Sequence, residues 1–420
     1  MTFKVKATKL SGKFKATPSK SFSLRAIVAA SLCVGVSIIE NVELCDDVKS
    51  IIIAFKKLGV KFEFTNNNLK VFGGLKNQVL EDFIDCFDCG FNFRVLSFIL
   101  MTFKNSFYLK GTKNLFKRPL ACNIILNGEK FSYLKKNKDS YKIVGRLIPG
   151  KYEVDCRISS QFITGLLFSL PLLKKDSKIV FNKKLESKQY VKITLYVLKK
   201  FGIKIKKIRN GFKVFGNQKF KETNFVVEAD YSKAAFFSIV GALHPIEIFG
   251  LNKKSLQKDK KILNIIKKCG AMVKFKKDVL FVIPKKKLKP FKYNVKNTPD
   301  IAICLAIFAC FCSGVSKIKG VRRLQFKESN RINSILNLIN SLGGVASFFK
   351  DCIIIKGGKK LKGGFVKGFK DHRVVMAAFF ISCFCEDFVY VSDVESILKS
   401  NVSFFEDFKA LGGVFYGVCF

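Results

Sequence analysis

Six times along its 420 residues the chain repeats one local pattern: an amphipathic helical stretch, a glycine just past its end, then two short alternating segments joined by a polar turn. Sharp copies read FKKLGVKFEFTNNNLKVFG around Gly59, LKKFGIKIKKIRNGFKVFG around Gly202, IIKKCGAMVKFKKDVLFVIP around Gly270 and LINSLGGVASFFKDCIIIKG around Gly343. Looser copies are IILNGEKFSYLKKNKDSYKIVG at Gly128 and FKALGGVFYGVCF at Gly412. Successive glycines stand 68 to 74 residues apart, so six units fill the chain. Each glycine is read as a helix stop, because glycine enters the left-handed conformation beyond a helix end without steric penalty. The segments that follow are hairpin strands, with the Asn and Gly residues of TNNNL and IRNGF supplying the positive φ values of the turn. An upstream strand and helix complete each unit, as in the helix predicted over 26–36 ahead of another over 46–58. The result is an α/β unit of roughly βαβαββ form, too long for a simple solenoid repeat, and units of that size pack into compact groups.

Apolar residues make up 49% of the chain, which supplies such cores and excludes disorder as its general state. Charge is the outlying quantity, since 76 Lys and Arg against 31 Asp and Glu give +45. The cations are spread along the whole sequence and form no single stripe or tail of the kind nucleic acid selects. With ten arginines, 66 lysines, 46 Phe and no Trp, the excess reads as biased residue usage. The 14 cysteines lie in apolar stretches, Cys304, Cys310 and Cys312 among them, and read as small hydrophobes in a reducing compartment. A lone CxxC at Cys86 and Cys89, in a chain with two histidines, does not make a zinc site. The N-terminus alternates like a strand and has no apolar signal segment, and the apolar run 301–315 is too short to span a bilayer. The expectation is a cytoplasmic protein in which that run forms a buried helix.

Where lysine is the default cation, arginine marks chemistry, because its planar fork binds carboxylate and phosphate in ways an ammonium cannot. Arg25, Arg94, Arg118, Arg331 and Arg373 all fall in short polar motifs. TPSKSFSLR, residues 17–25, precedes an apolar helix that Ser19 or Ser21 can cap, with free N–H groups able to hold an anion beside Lys20 and Arg25. ISSQFITGLLF, residues 158–168, opens a second apolar helix with Ser159, Ser160 and Gln161 placed to cradle a phosphate. RRLQFKESNRI, residues 322–332, sets Lys327 and Arg331 on one helix face with Glu328 three residues before Arg331. An exposed, salt-bridged helix would carry the same pattern. FKDHRVVMAAFF puts Asp371, His372 and Arg373 ahead of another apolar helix. Weaker signals are Thr298-Pro299-Asp300, Lys188 and Tyr190 in LESKQY, Lys117-Arg118-Pro119 and Lys399-Ser400. Cations and hydroxyls at helix starts in both halves point to an anionic ligand, with Asp300 or Glu328 as a carboxylate for proton transfer.

These motifs resemble the 5-enolpyruvylshikimate-3-phosphate synthase family, from residue 4 to the C-terminus. The resemblance is carried by SKSxSxR at 19–25, SSQF at 159–162, KES at 327–329 and DHR at 371–373. It implies an α/β fold of two domains, each built from three βαβαββ repeats as an inside-out α/β barrel, with the active site in the interdomain cleft. One domain would hold residues 1–18 and 229–420, the other 19–228. It also implies a monomeric enzyme of chorismate biosynthesis that needs no cofactor, metal or nucleic acid. In such enzymes the 5-hydroxyl of shikimate 3-phosphate adds to C2 of phosphoenolpyruvate while C3 is protonated, and the tetrahedral intermediate then loses phosphate. Carried over position by position, Lys20, Asp300 and Glu328 would be catalytic, Asp300 as the base near the 5-hydroxyl and Glu328 as the proton donor. Lys20, Ser21, Arg25, Ser159, Ser160, Gln161, Ser187, Tyr190, Asp300, Arg323 and Lys327 would contact shikimate 3-phosphate. Lys20, Gly90, Arg118, Gln161, Arg331, Arg373 and Lys399 would hold phosphoenolpyruvate.

The sequence departs from the family in several places. PGSKS reads TPSKS here, so Pro18 replaces a Gly and is expected to stiffen a hinge. GNAGT reads FDCGF, leaving Gly90 and putting Asp88 where an Asn would face phosphoenolpyruvate, an unfavourable carboxylate unless a Lys pairs it. Asn330 replaces an Asp, Arg323 stands near where an Asn contacts substrate, Gln189 replaces a Pro, and Asn401-Val402 replace Phe-Pro. Every charged residue assigned to the chemistry is present. The sister transferase that acts on UDP-N-acetylglucosamine shares the repeat fold, but SSQF and KES favour shikimate 3-phosphate. A basic nucleic-acid-binding protein would account for the +45 and not for carboxylates set among the motifs. A decayed, inactive transferase is the remaining alternative.

Overall fold

Five of the six glycines stop helices. In the computed structural model, which describes residues 1–75, 82–155, 157–183 and 185–418, Gly59 follows the helix Asp46–Lys57 with φ 89°, and Gly202 follows Lys188–Lys200 with φ 81°. Gly270 ends Lys261–Cys269 with φ 119°, Gly343 follows Arg331–Ser341 with φ 79°, and Gly412 follows Phe404–Ala410 with φ 95°. Gly128 differs. With Asn127 at φ 51° it makes the turn between strands Ile124–Leu126 and Glu129–Lys130, so LNGE acts as an Asn-Gly hairpin signal and not as a helix stop. The helix of that copy is cut to Lys113–Phe116, since Pro119 disfavours helical backbone in the residue before it. The last two residues of the copy at Gly412 lie outside the described residues.

The chain divides into two compact units, Met1–Thr17 with Glu228–Phe420, and Pro18–Val227. Each contains three of the six sheets found among the described residues, and all six share one strand arrangement. A parallel pair of strands is extended on one side by two antiparallel strands, joined as a hairpin in five of the six. In the Pro18–Val227 unit, Asn224–Val226 pairs in parallel with Gly35–Glu40, followed by Asn68–Gly73 and Lys61–Thr65, whose turn residues Asn66 and Asn67 take φ 50° and 61°. The second sheet starts from Phe83–Asp85 and Tyr108–Lys110. The third starts from Lys151–Val154 and Ser177–Phe181 and gains the Ile124–Leu126 hairpin on its far edge. In the other unit the N-terminal strands complete two sheets: Gly12–Lys15 pairs with Ile246–Phe249, and Thr2–Lys6 lies between Val389–Ser392 and Val414–Val418. That pairing is why the first 17 residues belong with the C-terminal half.

Behind the sheets run apolar helices buried on every side: Lys20–Leu32, Gly90–Leu100 and Gln161–Ser169 in one unit, and Tyr231–Gly241, Ala302–Cys310 and His372–Ser382 in the other. Two are shorter than their apolar runs. The helix expected over 26–36 ends at Leu32, and Gly35 with φ 126° turns the chain into a strand. The run 301–315 likewise yields Ala302–Cys310, with Gly314 at φ 124° opening the strand Gly314–Lys319. No helix among the described residues is long and apolar enough to cross a membrane. A helix that is apolar all round has room for polar chemistry only at its ends, and that is where the motifs lie. Cys86 and Cys89 are buried, and burial together with Cys89 and Asp85 pushes the Cys86 thiol up, so it behaves as packing.

Candidate active site

In the Pro18–Val227 unit, polar groups gather around the first turns of four helices that pack on one another. Lys188–Lys200 packs on both Lys20–Leu32 and Gln161–Ser169, and the latter packs on Gly90–Leu100. Lys20 Nζ pairs with Asp47 Oδ2 at 2.7 Å, and the Asp47 carbonyl accepts from Asn92 Nδ2 at 3.1 Å, which ties Lys20 to the Gly90–Leu100 helix. Arg25 is 2% exposed; its Nε donates to Thr194 Oγ1 at 2.9 Å and its Nη1 to the Ser21 carbonyl at 2.8 Å. The guanidinium lies 4.8 Å from the Phe91 ring and 5.9 Å from Tyr190. Burial lowers its pKa to about 10, against the opposing pull of Tyr190, so it remains a cation at neutral pH. Arg94 Nη1 donates to Gln161 Oε1 at 2.5 Å and to the Gly90 carbonyl at 3.2 Å. A Cβ on Gly90 would sit 2.7 Å from that Nη1, so glycine leaves the end of the Arg94 side chain its place beside Gln161.

The serines differ in part from expectation. Ser19 occupies the N-cap without a side-chain capping bond, and its hydroxyl is buried with no partner among the described residues; Ser23 Oγ donates to the Ser19 carbonyl at 3.1 Å. At the second motif Ser159 Oγ accepts from Gln161 N at 3.2 Å, while Ser160, at the N-cap, makes no capping bond with its side chain. Ser187 precedes Lys188–Lys200 in a left-handed conformation, φ 54°, which L side chains adopt sparingly, and Tyr190 follows in the first turn. Asp88, expected to need a lysine, is paired by Arg118 at 2.7 Å.

In the other unit the third and fourth motifs meet the Asp300 turn in one charged cluster. Lys327 and Arg331 do not share a helix, contrary to their spacing. Lys327 ends the 3-10 turn Arg322–Phe326 in an extended conformation, and Arg331 begins the helix Arg331–Ser341. Both reach Asp300 Oδ1 at 3.2 Å. Arg331 Nη2 also holds Glu328 Oε2 at 2.6 Å, and its Nε holds Asp371 Oδ2 at 2.8 Å. Arg331 is 1% exposed, so this is no solvated helix face. Burial works against its charge, but Asp371, Glu328 and Asp300 more than offset that and raise its pKa. Burial also lowers the Lys327 pKa, opposed by Asp300. Arg373 Nη1 donates to the Asp300 carbonyl at 3.2 Å, and Arg323 is close enough to Lys327 to disfavour its charge. Lys399 is buried at the end of the turn Val394–Lys399, which packs on the His372–Ser382 helix. Asn330 caps Arg331–Ser341 through Asn333 N, a task Asn performs as well as the Asp it replaces.

Several partners were not legible in advance. Asp47 reads as an ordinary acidic residue in a first helical turn. Asp259 sits among lysines in LQKDKK with no motif around it, yet it is 3% exposed and takes a hydrogen bond from Ser232 Oγ. Burial, then the neighbouring Asp300, push its pKa up to about 7.

Buried helix starts carrying hydroxyls and guanidinia in one unit, and a carboxylate held among three cations in the other, are the features of an enzyme that binds anionic substrates. The EPSP synthase (3-phosphoshikimate 1-carboxyvinyltransferase) family model matches residues 5–408, and the chain belongs to that family. Two 3-phosphoshikimate 1-carboxyvinyltransferases, from Clostridium botulinum and Clostridium perfringens, are each 38% identical to it. The alignments cover 99% and 98% of this chain, and 98% of each relative. The fold matches an EPSP synthase from Acinetobacter baumannii with a TM-score of 0.80 at 21% identity, over 99% of this chain and 100% of that one. The enolpyruvyl transferase NikO from Streptomyces tendae matches with a TM-score of 0.75 at 13% identity, over 99% and 98% of the two chains.

Proposed function

We propose that the chain transfers the enolpyruvyl group of phosphoenolpyruvate to the 5-hydroxyl of shikimate 3-phosphate and releases phosphate. Each unit is read as three βαβαββ repeats of an inside-out α/β barrel, and the enzyme as monomeric, cytoplasmic and cofactor-free. The observation that carries the reading is the Asp300 cluster, in which one carboxylate is held by Lys327 and Arg331 with Arg373 alongside.

In this reading Arg331, Arg373 and Lys399, with Lys20, Gly90, Arg118 and Gln161, take phosphoenolpyruvate. An anion bound by Arg331 and Arg373 withdraws cationic stabilisation from Asp300, whose basicity then rises. Asp300 accepts the 5-hydroxyl proton as the oxygen attacks C2, and Glu328 delivers a proton to C3. Glu328, now a carboxylate, then takes a proton back from the C3 methyl, the C2=C3 double bond re-forms and the C2–O bond to phosphate breaks, with the cations stabilising the charge on the departing oxygens. Lys327 and Arg323 hold substrate hydroxyls. Arg25, buried against Tyr190 and beside Ser21, takes the shikimate carboxylate, where a desolvated guanidinium binds more strongly than an exposed one. Ser159, Ser160 and Ser187, at helix starts, take the 3-phosphate. Mass-spectrometric analysis of the product tests the reading: an enolpyruvyl adduct forms with shikimate 3-phosphate and not with UDP-N-acetylglucosamine. The reverse preference would overturn it.

A further inference from the structure

Among the ion pairs of the site, Asp88 with Arg118 is formed at a position where the sequence departs from its family. Arg118 Nη2 lies 2.8 Å from Asp88 Oδ1 and 2.7 Å from Oδ2, and Nη1 reaches the Asp88 backbone carbonyl at 3.3 Å. The carboxylate is held from other sides as well. Thr112 Oγ1 donates to it at 2.9 Å and Asn114 Nδ2 at 3.2 and 3.3 Å. Its backbone is fixed too, because Phe87 sits at φ 50° with its N–H bonded to Asp85 Oδ1 at 2.6 Å. Asp88 is therefore anchored independently of Arg118. The Arg118 side chain is 6% exposed and that of Asp88 23%, so solvent and salt screen the pair only in part. A guanidinium already committed to a carboxylate presents fewer donors and less net charge to a second anion.

We infer that Asp88 sets the affinity for phosphoenolpyruvate by holding Arg118 as a paired cation, which the substrate anion must share or displace on binding. This rests on the transferase reading above. Asp88 acts through Arg118 and is a positioning residue. Asp88→Asn keeps the shape and an acceptor for Thr112 and removes the charge. Exchanging a charge-assisted bond for a neutral one frees Arg118 by roughly fivefold to tenfold in affinity.

The experiment measures steady-state kinetics with each substrate varied in turn, and calorimetric titration with inorganic phosphate, on the full chain. Asp88→Asn is expected to lower the KM for phosphoenolpyruvate roughly fivefold to tenfold and to tighten phosphate similarly. The KM for shikimate 3-phosphate stays within about twofold, as a contact local to Arg118 requires. Asp88→Ser, the alternative variant should the Asn protein fold poorly, moves in the same direction, and Asp88→Glu restores a high KM. The gain disappears in an Arg118→Met background. An unchanged or higher KM for phosphoenolpyruvate in Asp88→Asn overturns the inference, as does a gain that survives Arg118→Met. If the unaltered chain turns over neither substrate, the transferase reading fails, and the phosphate titrations still decide whether Asp88 weakens anion binding at Arg118.

Discussion

Asp371 is fully buried and its carboxylate serves three elements at once. Oδ2 accepts from Arg331 Nε at 2.8 Å and Ser329 Oγ at 3.0 Å, while Oδ1 accepts from Arg331 Nη2 at 3.1 Å and from Arg373 N at 3.0 Å, the last capping the His372–Ser382 helix. Asp371→Ala strips this acid from a guanidinium that is 1% exposed. Deleting one partner of a buried pair costs about 3–5 kcal/mol, because the other charge is left uncompensated. Loss of the cap adds about 1 kcal/mol. Arg331 keeps Glu328 at 2.6 Å and Asp300 at 3.2 Å, so the lower end of the pair contribution applies. The expected loss is about 4 kcal/mol, and about half that for Asp371→Asn, which retains an acceptor and the cap. Urea unfolding followed by circular dichroism reads the change as a lower midpoint of the transition that includes this unit. A loss below about 1 kcal/mol for Asp371→Ala would refute the argument that this carboxylate compensates the buried Arg331.

Other consequences are as direct. Gly90→Ala places a methyl 2.7 Å from Arg94 Nη1, displacing it from Gln161, and is expected to raise the KM for phosphoenolpyruvate roughly tenfold; an unchanged KM contradicts the packing. Asp300→Ala is expected to cut kcat by about 10²-fold or more while calorimetry finds shikimate 3-phosphate affinity changed only a few-fold, and a wild-type kcat removes Asp300 as the base. Asp259 has a folded pKa of about 7, against the 3.8 of an unperturbed aspartate. The folded state therefore holds a proton that the unfolded chain has lost, and stability falls as pH rises through that window, by at most about 4 kcal/mol. Asp259→Asn should flatten this slope in urea titrations between those pH values; an unaltered slope would place the proton elsewhere.

The repeat was legible because its marks are backbone chemistry: glycines at helix ends and Asn-rich turns have few alternatives. It misled at Gly128, where an Asn-Gly pair serves a hairpin and looks, in one dimension, like a helix end. Helix lengths read too long at 26–36 and 301–315, since an apolar run does not distinguish a buried helix from the strand that continues it, where Val36 and Val315 are exposed. The scarce arginines led to the site because arginine is costly to bury unless it has partners. Those partners were harder to read. Asp47 and Asp88 meet their cations, and Asp259 meets Ser232 and Asp300, from elements distant in sequence, and no spacing rule connects them.

Phosphate release by the purified chain tests the central claim most directly, with shikimate 3-phosphate and phosphoenolpyruvate supplied together and each alone, and with Lys20→Met alongside. Lys20 is expected to be essential; its ammonium is partly exposed and pairs with the buried Asp47, so circular dichroism first checks that the Lys20→Met protein is folded. Release only when both substrates are present, and none from a folded Lys20→Met, is the predicted result. A folded, silent wild-type chain, or release from phosphoenolpyruvate alone, would contradict it.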